Sequence, residues 1–158
     1  MSWWRRLIGG RSDDELKPQR LDYLAEALTL ERQGDFDAAL TSYRLALRDK
    51  PDDHKVLMNM AIAYSRLGRL GEAERCYGRT LEVKPDHAGA HYGMAFLKIK
   101  RGDRTGAETH LEAFLAAPGK ADQANIEHAR GALKSLRTPA GDVAVGDLAD
   151  ETSVDPGS

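Results

Sequence analysis

The chain has one cysteine, Cys76, in 158 residues. A single thiol excludes an internal disulfide and fits a reducing compartment. No apolar run approaches the ~18 residues that a membrane-crossing helix needs. The start, MSWWRRLIGG, lacks the apolar stretch and small-residue cleavage site of a signal peptide. These absences lead to the expectation of a cytoplasmic protein, with the inner face of a membrane as the other seat. A net excess of one charge sign is also missing from the middle of the chain. Residues 21–137 carry 18 basic and 17 acidic groups, which excludes the dense basic face of a general nucleic-acid binder. There is no Gly-rich phosphate loop and no catalytic motif. His87 and His91 stand four apart, but further metal ligands are missing nearby, so they read as surface histidines. Cys76 has no His or Asp pairing that would mark a nucleophile and reads as a small buried filler. The expectation is therefore no enzyme, no cofactor and no metal.

What the chain does have is a period. Gly34, Gly68 and Gly102 recur at one fixed step, and Ala27/Ala61/Ala95, Ala39/Ala73/Ala107 and Leu47/Leu81/Leu115 keep it. Pro51 and Pro85 keep it too. A fixed step in the range of ~20–50 residues means stacked supersecondary units, each too small to bury its own apolar face. Each unit reads as two helices. Pro18 suits a helix start, and residues 20–33 place Leu21, Leu24, Leu28 and Tyr23, Ala27, Leu30 at helical spacing. Gly34 ends that helix, Asp35 caps the next, and Lys50-Pro51 stops it near Asp49. The second copy starts near Asp53 and the third near Asp86. A further helix at about 121–137 has Ile126, Ala129, Leu133 and Leu136 on one side and charge on the other, as a lid on the stack needs.

Gly34-Asp35-Phe36-Asp37-Ala38-Ala39, then Tyr43, Ala46 and Pro51, resemble the turn and second helix of the tetratricopeptide repeat. Met60-Ala61, Tyr64, Gly68, Ala73, Tyr77 and Pro85 resemble it in the second copy, and Met94-Ala95, Gly102 and Ala107 in the third. Residues 20–121 carry the resemblance. It implies an all-α fold, a right-handed α-solenoid of three helix-turn-helix repeats (about 20–53, 54–87 and 88–121) plus a C-terminal capping helix. The domain would span 18–137, between a flexible or docking segment, 1–17, and an acidic disordered tail, 138–158. It also implies a concave groove lined by first helices, in which relatives bind peptides or helices of other proteins.

The family's concave positions carry over as three rows: Leu24, Met58, Tyr92; Leu28, Ile62, Phe96; and Glu31, Ser65, Ile99. Asn59 falls where relatives that grip the acidic end of heat-shock chaperones place an asparagine. Their remaining clamp positions hold Leu24, Leu28, Gly89 and Gly93 here, so that clamp is not expected. Gly89 and Gly93 either leave a shallow channel for an approaching backbone or are tolerated at a cost of ~1 kcal/mol each. Arg32, Arg66 and Lys100 recur at the end of each first helix, where they complement the helix dipole or form a basic ridge beside the groove. Outside the repeats, Trp3-Trp4-Arg5-Arg6 is expected to dock on this chain or on a partner. The alternative is a peripheral membrane assembly factor in which residues 1–8 make a weak surface contact. The leading expectation is a non-catalytic protein-binding module, an adaptor, scaffold or subunit, that receives a peptide or amphipathic helix in an apolar groove. An apolar edge at the first repeat also permits a homo-oligomer.

Overall fold

A computed structural model describes residues 22–139, and all of their regular structure is helical. Seven helices follow one another: α1 Tyr23–Arg32, α2 Phe36–Asp49, α3 His54–Arg66, α4 Leu70–Val83, α5 Ala88–Lys100, α6 Arg104–Ala116 and α7 Gln123–Arg137. Helices pair as α1/α2, α3/α4 and α5/α6, the pairs stack in order, and α7 lies on α5/α6. The Pro18 start, the tryptophan segment and most of the acidic tail lie outside the described residues.

The repeated residues explain the repeated geometry. Gly34, Gly68 and Gly102 sit at φ +81°, +71° and +77°, the left-handed region that ends a helix without steric cost only for glycine. Asp35 and Asp103 follow two of these turns and cap α2 and α6 by accepting from the N–H groups of Ala38 and Gly106. The second turn has Arg69 in that place and no side-chain cap. Arg69 instead reaches Glu72 at 2.8 Å and lies over the Tyr64 ring. Pro51 and Pro85 follow α2 and α4 and hold Lys50 and Lys84 in extended backbone.

The alanine columns are the points of closest helix approach. Ala27, Ala61 and Ala95 are fully buried, as are Ala39, Ala73 and Ala107. Tyr43 and Tyr77 fill the gaps between layers. Tyr43 donates to Glu31 at 2.6 Å, and its hydroxyl pKa is pushed up by burial first and by Glu31 second. Ser65 takes Glu31's place beside Tyr77, and the third copy is apolar at both places, with Ile99 and Leu111. The row Glu31, Ser65, Ile99 therefore varies in step with the second helices. Glu26, polar at a usually apolar place, is exposed and accepts from Ser42.

The lid helix continues the period. Ala129 stands one full step after Ala95 and is likewise fully buried. Lys134 stands one step after Lys100. α7 is thus the first helix of a fourth copy, and Leu136 occupies the place where the turn glycine would recur.

Candidate functional site

The first helices line a groove of about 510 Å³, walled by α3 and α5 and flanked by α4 and α7. Of the predicted rows it gathers Met58, Ile62, Ser65, Tyr92 and Phe96, together with Gly89, Gly93 and the ridge residue Lys100. Leu24 is not among them. It is half-buried against the first core cluster and lines a separate recess with Ala46, Asp53 and Val56, at the other end of the stack from the groove. Leu28 stays exposed at 39%, next to Glu31 and Arg32 in a separate shallow recess. Asn59 and Ile99 are half-buried and line no part of the groove. Trp3, Trp4, Arg5 and Arg6 fall outside the described residues.

Three features of this wall were not read from the sequence. First, Gly93 neither opens a channel nor is merely tolerated. A Cβ there would stand 2.4 Å from Cζ of Tyr77, so the missing side chain is what lets the Tyr77 ring lie on α5. At Gly89 the terminal methyl of Met58 takes the corresponding space, 3.2 Å from an added Cβ. Second, α7 contributes His128 to the groove. Its ring stacks on Phe96 with centroids 4.5 Å apart, and its Nδ1 meets the Tyr92 hydroxyl at 2.8 Å. The signal lay in the period of α7: the apolar positions Ile126 and Ala129 flank His128. Third, Leu70, Tyr77 and Leu97 complete the floor.

The wall residues differ in what else they do. Tyr92 packs edge-on against Phe114 and joins the second core cluster with Phe96, and burial raises its hydroxyl pKa. Ile62 is half-buried and belongs to neither core cluster. It is the apolar wall residue least committed to the fold. A second hollow of about 630 Å³ opens at the other end of α5, rimmed by Lys84, His87, Lys120 and Asn125.

His87 and His91 are half-buried structural groups, which corrects their reading as surface residues. His87 Nδ1 caps α5 by accepting from Ala90 N–H. His91 Nε2 lies 2.8 Å from the Pro85 carbonyl, and its Nδ1 lies 3.0 Å from Nδ1 of His110. A carbonyl only accepts, so His91 carries its proton on Nε2, and His110 donates from Nδ1. Around this pair, Lys98 reaches Glu74 at 2.6 Å and Asp103 at 3.3 Å, and Arg101 also meets Glu74. Burial, His91 and Lys98 push the His110 pKa down. Among the described residues no group of three or more acidic, histidine or cysteine side chains could hold a metal ion. Cys76 is buried, and burial raises its thiol pKa. No helix of the described residues is long and apolar enough to cross a membrane.

A family model described as tetratricopeptide repeat matches residues 30–86. The chain is 32% identical over 107 residues to the tetratricopeptide repeat and J domain-containing co-chaperone DNJ1 of Fusarium oxysporum f. sp. lycopersici, a match covering 68% of this chain and 20% of that protein. It therefore spans about a fifth of that relative's length. Among solved structures, the first TPR of Spaghetti (RPAP3) bound to the HSP90 peptide SRMEEVD superposes with TM-score 0.66 at 17% identity, over 73% of this chain and 94% of that one. PcrH in complex with the chaperone binding region of PopD superposes with TM-score 0.67 at 19% identity, over 82% and 96%.

Proposed function

Because this chain belongs to the tetratricopeptide-repeat family, a right-handed α-solenoid, we propose that it is a non-catalytic protein-interaction module. It takes an apolar segment of a partner, a peptide or one face of an amphipathic helix, into the groove between α3 and α5 beside α7. The observation that carries this reading is the groove itself. Met58, Ile62, Tyr92 and Phe96 present half-buried apolar surface along one open wall, next to the His128 ring. A protein that leaves such a patch uncovered gives up stabilisation of ~25 cal/mol per Å². Two solenoids of the same fold were solved with partner segments bound, which supports the same use here. The acidic-terminus clamp does not transfer: Leu24, Leu28, Gly89 and Gly93 stand at its positions, and the face of Gly93 is taken by Tyr77.

Selection of a displayed peptide library on the intact chain tests this reading, with Ile62→Glu as the counter-target. Enriched peptides should carry large apolar anchors and lose at least tenfold in affinity on the variant, while its thermal midpoint stays near that of the parent. Peptides that bind both proteins equally would place the site elsewhere and sink the proposal. Tyr92→Ala is the poorer probe, because it also removes the Phe114 contact and the His128 hydrogen bond.

A further inference from the structure

The predicted basic ridge has a fourth member and an acidic segment at its end. Arg32, Arg66, Lys100 and Lys134 keep the repeat step, one in the last turn of each first helix, and all four are exposed. Each stands four residues after the apolar row Leu28, Ile62, Phe96 and its α7 counterpart Arg130, so the basic row runs along the same wall one helical turn further on. Lys100 itself lines the groove, and Arg66 adjoins the groove residue Ser65. The helix dipole accounts for a cation at a helix end. It does not account for the recurrence of such a cation on one wall of four successive first helices. Among the described residues Arg66, Lys100 and Lys134 join no ion pair, although Arg69, Arg79, Lys98, Arg101, Arg130 and Arg137 all do.

The chain leaves α7 beside this row. Arg104, at the start of α6, donates to the carbonyl of Leu136, which fixes the end of α7 next to the turn that closes α5. Residues 140–158 then carry Asp142, Asp147, Asp150, Glu151 and Asp155 and no Lys or Arg, a formal charge of −5. Val143, Val145 and Leu148 lie between the acids. In extended chain, three residues span ~10 Å, close to the ~8–10 Å between packed helix axes. Asp147 and Asp150 are thus far enough apart to meet cations on different helices of the stack. Covalent attachment supplies an effective concentration in the millimolar range for a short flexible connection.

We propose that the acidic segment 140–158 docks in cis across Lys134, Lys100 and Arg66, with its Val and Leu side chains over the Phe96 end of the groove. The segment then competes with any other occupant of that end. The contact does not depend on the proposed partner, and its test needs none.

A nitroxide on Ser153→Cys in the full chain is the probe, since Cys76 is buried and resists labelling. Amide signals of the last turns of α3, α5 and α7 should broaden selectively at about 0.1 M salt and recover at about 1 M, where the Debye length has fallen to ~3 Å. The pattern should be unchanged on dilution, and lost in the Arg66→Glu, Lys100→Glu, Lys134→Glu triple variant. Because that variant could disturb the fold, Asp142→Asn, Asp147→Asn, Asp150→Asn, Glu151→Gln in the segment is the paired control and should abolish broadening equally. Broadening that is absent, uniform over the surface, insensitive to both sets of changes, or dependent on protein concentration overturns the cis contact. The last result would assign the row to a second copy.

Discussion

At the scale of single residues, glycines of one type do different work, and substitution separates them. Gly93 gives its space to the Tyr77 ring. Gly93→Ala should destabilise by ~1–3 kcal/mol, as overpacking a tight contact does, measured by urea unfolding. Gly131 lies exposed inside α7 with nothing within 4 Å of an added Cβ. Gly131→Ala should therefore stabilise by ~0.5–1 kcal/mol through the unfolded chain's lost freedom. If both changes move stability the same way, the steric account of Gly93 is wrong. Tyr43→Phe leaves Glu31 without the hydroxyl that donates to it at 2.6 Å. A loss of ~1–2 kcal/mol follows for a half-buried bond to a charged acceptor, and the same change at Tyr77 should cost less.

At the scale of elements, the α5/α6 pair carries the polar seam, and its histidines tie stability to pH. The folded pKa of His110 lies below the ordinary 6.5, through burial, His91 and Lys98, against the opposing pull of Asp103 and Glu74. That of His87 is lowered by burial, His54 and Lys84, and its cap requires an unprotonated Nδ1. For a base whose folded pKa is depressed, the unfolded chain binds the proton first. The stability these two contribute is complete above 6.5 and is lost as pH falls through that value towards the folded pKa. The thermal midpoint should accordingly drop between pH ~7.5 and ~5.5. His91→Leu with His110→Cys, the pair that the second copy carries as Leu57 and Cys76, should flatten that slope, and His87→Asp should keep the cap without its titration. An unchanged slope in both would move the dependence elsewhere. The elements were legible in the sequence because every turn carries its own glycine, proline or aspartate. The site was legible only in part. Ile62 and Phe96 follow from their column, whereas Leu24 of the same family rows lines a separate recess, because the groove opens only between α3 and α5. His128 was hidden because α7 reads as a lid once its turn glycine is missing, although Ala129 and Lys134 keep the step.

For the whole molecule, a stack in which each unit touches only its neighbours should not open all at once. α3 buries Val56, Leu57, Met60, Ala61, Ala63 and Tyr64, whereas α1 and α7 each bury a single alanine, Ala27 and Ala129. Amide exchange should therefore be slowest in α3 and α4 and fastest in α1 and α7, and uniform protection would show a more cooperative unit than nearest-neighbour packing gives. The three turns at Gly34, Gly68 and Gly102 also bear on the history of the chain. All three share the left-handed backbone, and a Cβ at any of them would meet nothing within 4 Å. One turn can be exchanged for another without new strain. A crossover between genes at any two of them would add or delete whole repeats and keep the turn backbone, while re-pairing a first helix with the second helix of another copy. The groove can thus be lengthened or shortened in complete units by recombination, with its row of cations growing in step.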